Sequence, residues 1–141
     1  MNVDSIKNGI VIDHITAGRG MRLYELLGLD KLECTVAIMR NVPSKKMVKK
    51  DIIKIDADIP VSFDVIGFVD PDVTVNLIRD GALVEKRSID IPETLVNVIK
   101  CRNPRCITSI EPDIPHTFKL CDREKGIYRC IYCESRAKEE E

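Results

Sequence analysis

The sequence predicts an α+β protein in two parts. Residues 1–92 read as an antiparallel sheet with helices on one face, and residues 93–141 as a small β-rich domain organised by cysteines. Three observations carry this reading. Long aliphatic runs are nearly confined to the first hundred of the 141 residues, whereas five of the six cysteines fall between positions 101 and 133. The shift in composition sets a boundary within "IDIPETLVNVIK" (89–100), with the first domain ending around Pro92. Finally, "TVNLIRDGALVEKRS" (74–88) places two alternating runs around Asp80-Gly81, the composition preferred by a two-residue type I′ hairpin.

The elements follow in order. "GIVIDHIT" (9–16) is β-branched and reads as a strand. "GRGMRLYELLGL" (18–29) puts Met21, Tyr24 and Leu27 on one helical face with Leu23 and Leu26 nearby, and Gly28 is its stop. "ECTVAIMRNV" (33–42) and "DIIKIDA" (51–57) read as strands, with "PSKKMVKK" a charged loop between them. "PVSFDVIGFVDPD" (60–72) fits either a buried strand or a short helix capped by Ser62. The hairpin 74–88 closes the domain. Strand, helix, strand, strand, possible helix, strand, strand is the order of a ferredoxin-like antiparallel sheet with its helices on one face. No internal repeat is visible, and the polar end "SRAKEEE" is expected to fray.

Composition excludes several classes of function. Twenty-two basic and twenty-three acidic side chains leave a net charge of -1, so no basic excess drives nucleic-acid or membrane binding. Aromatics make up 4% and Trp is absent, which leaves few base-stacking platforms. No apolar run approaches the ~20 residues that span a bilayer. "MNVDSIKNG" lacks the basic-then-apolar pattern of a signal peptide. The expectation is a soluble cytoplasmic protein, and in a reducing compartment clustered cysteines suggest metal before disulfides.

"CRNPRC" sets four residues, Pro104 among them, between Cys101 and Cys106, and "CIYC" sets two between Cys130 and Cys133. Structural zinc is held tetrahedrally by four thiolates that usually come as two such pairs on two turns. Between them "FKLCDREKGIYRC" reads as a hairpin turning at Glu124–Gly126, which returns the second pair to the first. The alternative is four reduced core cysteines. It is disfavoured because the flanking residues are charged and too few large apolar residues are present for a core. Cys121 reads as a packed thiol rather than a ligand. Iron suits the same ligands. With four thiolates bound, no position stays open for catalysis. Residues 101–141 carry eight basic and eight acidic side chains, which is poor support for the competing reading, a zinc-ribbon nucleic-acid-binding protein. A small enzyme is the third reading. The chain shows no Ser/His/Asp or Cys/His arrangement and no P-loop, and its two histidines are His14 and His116.

"GIVIDHITAG", "NVPSKKMVKKDIIKI", "TVNLI" and the four-cysteine pattern ending in "CIYCE" together resemble the regulatory chain of aspartate carbamoyltransferase, from about Val3 to Glu134. The resemblance implies a non-catalytic subunit. Its N-terminal domain binds the nucleotide effectors CTP, which inhibits, and ATP, which activates, in feedback control of pyrimidine synthesis. Its zinc domain, with one Zn2+ on Cys101, Cys106, Cys130 and Cys133, meets the catalytic chain. Regulatory dimers form through the N-terminal domains, and three of them join two catalytic trimers. Carried across motif by motif, the effector contacts are Ile6, Val11, Asp13, His14, Lys50, Lys54, Asn76, Ile78, Leu83 and Lys86. The chemistry is consistent: lysine ammoniums suit a triphosphate, Ile and Val make an apolar slot for a base, and Asp13 accepts hydrogen bonds from an amino group or ribose hydroxyls. The sequence departs from the family pattern at Gly81, where a larger, often aromatic residue can sit near the base.

Each of these residues also has an ordinary role. His14 in a strand is often a structural hydrogen-bonder, the lysines of 45–50 suit a solvated loop, and Ile6, Val11, Ile78 and Leu83 suit a core. Strand alternation adds a constraint. Residues 13 and 14 of a regular strand face opposite ways, and a two-residue hairpin pairing Ile78 with Leu83 turns Lys86 to the other face. A common site therefore requires a strand end, a bulge, or Lys86 reaching around an edge.

Overall fold

The computed structural model describes residues 6–137. The fraying expected of "SRAKEEE" is corrected for its first three residues, which bond to the last strand: Arg136 bridges to Arg129 and the Ala137 N–H donates to the Tyr128 carbonyl at 2.8 Å. The remaining residues, 138–141, and the N-terminal "MNVDS" lie outside the described range. The chain divides into two compact units, residues 1–90 and 91–141.

In the first unit, strands β1 (Gly9–Thr16), β2 (Val36–Pro43), β3 (Lys49–Ile55), β4 (Thr74–Arg79) and β5 (Ala82–Ser88) form one sheet in the order β2-β3-β1-β4-β5. Every pairing is antiparallel. Helices α1 (Gly20–Leu26) and α2 (Phe63–Val69) complete the predicted order. Alternation explains the layering: Ile10, Ile12, Ile53, Ile55 and Val75 are buried on one side of the sheet, beside Leu23, Val65, Ile66 and Val69 of the helices. The segment 60–72 resolves as helix because Ser62 accepts the Val65 N–H at 3.3 Å, satisfying one donor of the first turn. Asp80 and Gly81 have φ 51° and 76°, the two positive angles of a type I′ turn.

Two local expectations are corrected. The helix read over 18–29 is shorter; Gly28 stops it at φ 69°, and a 3-10 turn, Leu29–Lys31, follows. Its inward face centres on Leu23, with Met21 exposed, because Gly20 backs onto Asp51: a Cβ at Gly20 would lie 2.8 Å from Asp51 Oδ2. The charged loop is also shorter than predicted, since Lys49 and Lys50 already belong to β3.

Gly9 permits β1 to lie close to β3. A Cβ there would sit 2.1 Å from the Ile55 carbonyl oxygen and 2.8 Å from Ile6 Cγ2. Gly9→Ala is expected to destabilise this unit by about 1–3 kcal/mol, as overpacking does. A thermal melt superimposable on that of the unmodified chain would show that the start of β1 yields freely.

The second unit has a three-stranded sheet of β6 (Thr94–Val96), β7 (Thr117–Asp122) and β8 (Ile127–Cys130), in that order, and one short helix, α3 (Ile107–Ile110). The hairpin between β7 and β8 turns where predicted, with Gly126 at φ 64°. The large side chains buried here are Leu95, Phe118 and Tyr128. Tyr128 donates its hydroxyl to the Pro92 carbonyl, and the Leu120 N–H donates to the Glu93 carbonyl at 2.8 Å, so the entering segment is held to the sheet. Cys121, read as a packed thiol, is exposed. The register shifts between Leu120 and Asp122, leaving Cys121 as the bulged residue. No helix among the described residues is long and apolar enough to cross a membrane.

Candidate functional site

The side of the first sheet opposite the helices gathers the expected effector residues. Lys54 pairs with Val11, Val11 with Asn76, and Asn76 with Lys86, so these four form one row across β3, β1, β4 and β5. In the next row Gly9 pairs with Ile78 and Ile78 with Leu83. Ile6 Cγ2 lies against the Gly9 end of that row.

Lys86 reaches this side through a bulge. The pairing passes from Ile78↔Leu83 to Leu77↔Glu85, so Val84 is the extra residue and Lys86 returns opposite Asn76. A second bulge lies in β1, between Ile12↔Ile53 and Ile15↔Asp51, with His14 at φ 60°. It brings Asp13 and His14 into one cluster despite their adjacency. The His14 Nδ1 and Thr74 Oγ1 are hydrogen-bonded at 2.8 Å, and Lys50 Nζ lies 3.0 Å from Asp13 Oδ1. Lys50 is thus an ion-paired strand residue with 16% of its side chain exposed, not part of a solvated loop.

Burial pushes the Asp13 carboxyl up, but the Lys50 hydrogen bond, the His14 N–H and the neighbouring charges outweigh it and hold its pKa below the ordinary value. Its folded pKa being the lower one, the stabilisation is full above the unfolded value of ~3.9 and is lost as pH falls through the folded value.

Two members of this face were not found from the sequence. Thr74 is hydrogen-bonded to His14, and nothing in its local pattern marks it. Ile52 lies midway between Lys50 and Lys54 on the same side of β3 and is half-buried. The alternation of "KKDIIKI", with Asp51, Ile53 and Ile55 fully buried on the other side, was a sufficient signal.

The face combines cationic, polar and apolar groups. Lys54 and Lys86 have no ion-pair partner among the described residues, and they stand at the ends of the row. Between them Asn76 Oδ1 is buried without a hydrogen-bond partner among the described residues. An unsatisfied buried acceptor costs roughly 1–3 kcal/mol, a debt that a donor on a bound molecule removes. Val11, Ile52 and Ile78 supply apolar surface.

The second unit holds a cluster of four cysteines that could hold a metal ion. Cys101 lies in the loop after β6, Cys106 caps α3, Cys130 ends β8 and Cys133 follows on the next turn. Their four sulfurs lie within 4.8 Å of one another. Cys101 and Cys133 are 3.6 Å apart, and Cys106 and Cys130 3.7 Å, so each sulfur faces one from the other pair. Sulfurs about 2.3 Å from a tetrahedral centre are about 3.8 Å from each other, so the spacing fits zinc. The donor chemistry fits too. Burial pushes Cys101 up to about 12 and raises Cys130. The Thr108 hydroxyl lowers Cys106, and the Ser135 hydroxyl lowers Cys133 to about 6. Left to themselves these thiols do not ionise together; a divalent cation draws all four into the thiolate form.

Comparison with known proteins agrees with this geometry. A family model described as "Aspartate carbamoyltransferase regulatory chain, allosteric domain" matches residues 1–90, and one described as "Aspartate carbamoyltransferase regulatory chain, metal binding domain" matches residues 93–141. The chain is 49% identical over 134 residues to the aspartate carbamoyltransferase regulatory chain of Clostridium botulinum, covering 95% of this chain and 92% of that one. It is 48% identical over 135 residues to that of Clostridium tetani, covering 95% and 94%. It is 45% identical over 138 residues to that of Bifidobacterium longum, covering 98% and 99%.

Proposed function

The chain belongs to the family of aspartate carbamoyltransferase regulatory chains, and from that premise we propose that it is the non-catalytic subunit through which CTP and ATP tune a cytoplasmic carbamoyltransferase of pyrimidine synthesis. The nucleotide occupies the open side of the first sheet. Lys54, Lys86 and Lys50 meet its phosphates, Asp13 and His14 its ribose or amino groups, and Ile6, Val11, Ile78 and Leu83 its base. The observation that carries this assignment is the row Lys54–Val11–Asn76–Lys86, whose two ammoniums and the Asn76 oxygen between them have no partner among the described residues. Gly81 leaves open space at the hairpin end, where a Cβ would meet nothing within 4 Å. The second unit holds one zinc on Cys101, Cys106, Cys130 and Cys133 and docks to the catalytic chain. The chains pair as regulatory dimers that join catalytic trimers.

The test is to purify a tagged chain with a catalytic chain and measure carbamoyl aspartate formation with added CTP and ATP. Co-purification with a nucleotide-dependent rate is expected. A catalytic chain that stays unbound, or a rate indifferent to both nucleotides, would sink the proposal. The isolated chain is expected to form no carbamoyl aspartate, because its relatives are the regulatory, non-catalytic chains and four thiolates around a zinc leave no open metal position. Turnover by a preparation free of catalytic subunit would contradict this.

A further inference from the structure

Asp51 is fully buried on the helix-facing side of β3, away from the proposed nucleotide face. Its Oδ2 accepts the Gly18 and Gly20 N–H groups at 3.0 Å each, and its Oδ1 accepts the Asn41 N–H at 3.0 Å. The donors come from both sides of β3: Gly18 from the loop after β1, Gly20 from the first residue of α1, and Asn41 from within β2. The register shows what is being held. β1 gains its extra residue between Ile12↔Ile53 and Ile15↔Asp51, and β2 gains one between Met39↔Ile52 and Val42↔Lys50, with Asn41 at φ 58°. Both bulges lie level with Asp51. His14 and Asn41 each sit in the left-handed region, which is costly for residues with a side chain and persists only where surrounding contacts enforce it. The Asp51 carboxylate is that contact for β2 directly, and for β1 through the loop that follows it.

The consequence appears on the opposite side of the sheet. Lys50, next to Asp51, pairs with Thr16 and Val42, the residues just past the two bulges. The β1 bulge sets His14 against Thr74 and Asp13 against Lys50. We infer that Asp51 is a positioning residue for the nucleotide site, fixing from behind the sheet the two bulges that aim Asp13, His14 and Lys50. This rests on the reading of that face as a nucleotide site.

The test uses Asp51→Asn, which keeps the shape but turns one acceptor into a donor facing other donors. Ile53→Val, a core change on the same side of β3, serves as the control for general loosening. The first measurement is the NMR signal of the His14 ring in the nucleotide-free chain. Asp51→Asn is expected to shift it and Ile53→Val to leave it in place. The second is CTP affinity in Asp51→Asn, Lys50→Ala and the double variant. Asp51→Asn is expected to weaken binding roughly tenfold alone and to add little once Lys50 is gone, because groups in one network are not additive. An unmoved His14 ring, or full additivity with Lys50→Ala, overturns the inference. If the unmodified chain binds neither CTP nor ATP, the nucleotide reading falls, and the His14 signal by itself decides whether Asp51 sets the bulge. Should Asp51→Asn not fold, Gly20→Ala presses a methyl on Asp51 Oδ2 from 2.8 Å and is expected to move the same signal.

Discussion

Stripping the metal with a mercurial and a chelator is expected to unfold residues 91–137 and end docking to the catalytic chain, while the first unit stays folded and binds nucleotide. The reason is the size of the second core. Its large buried side chains are Leu95, Phe118 and Tyr128, and the rest of the buried apolar set there is Cys101, Cys106 and Cys130. Half the core is therefore the metal centre itself. Each ordered residue costs on the order of 1.5 kcal/mol in conformational entropy, more than three large side chains can offset. Structural zinc supplies ~10–16 kcal/mol of apparent binding energy at neutral pH. The loss should spread along the sheet, because Cys130 pairs with Phe118 and lies two residues from Tyr128, which holds Pro92. The first unit has a five-stranded sheet with its own buried layer and no part in the centre. Metal content, nucleotide binding and catalytic-chain association are measured separately on the stripped chain. Association that survives complete metal removal would show that the centre does not build the docking surface.

The parts of this fold that sequence alone revealed are those fixed by local chemistry. Asp80-Gly81 announced a type I′ turn because few residue pairs tolerate two successive positive φ angles. Ser62 offered a helix cap, but the apolar run after it suited a buried strand equally well, and only the Val65 N–H on its hydroxyl decides for the helix. The cysteine spacings announced the cluster of four sulfurs because only short turns aim two sulfurs at one point. What stayed hidden were the insertions in register. A β-branched run such as "GIVIDHIT" reports period two but not where the period breaks. The burial of Ile10, Ile12 and then Ile15 shows the break only after folding. Alternation did require a bulge or strand end if Lys86 was to join Ile78 and Leu83, yet it did not say that Val84 would be the extra residue. Cys121 was misread although alternation already spoke against a packed thiol: counting from the buried Phe118, it falls on the open side with Lys119. Asp51 gave no signal because its partners are backbone N–H groups, which every residue but proline carries.

Lys54→Ala and Lys86→Ala are expected to weaken CTP and ATP binding by roughly 1–3 kcal/mol each, the scale of a charged hydrogen bond lost. Lys46→Ala is expected to change little, as exposed surface substitutions usually do. The two effects should be unequal. Lys54 is half-buried on the central part of the sheet, between β1 and β2, whereas Lys86 is exposed on the edge strand β5. An ammonium screened by solvent and salt contributes less than one partly removed from both. The Lys54 change should therefore cost more, and its cost should fall less steeply as salt is raised. Neither lysine has a carboxylate partner among the described residues, so removing one leaves no orphaned anion and the loss is read in binding, not in stability. Asn76→Ala offers the complementary arm: it removes the unpartnered Asn76 oxygen, so the chain should hold its stability while losing affinity. Titration calorimetry on these variants, each with its melting temperature, separates the two quantities. Equal affinity across Lys46→Ala, Lys54→Ala and Lys86→Ala would place the triphosphate elsewhere, and a fall in melting temperature without a fall in affinity would make the row a structural feature of the sheet.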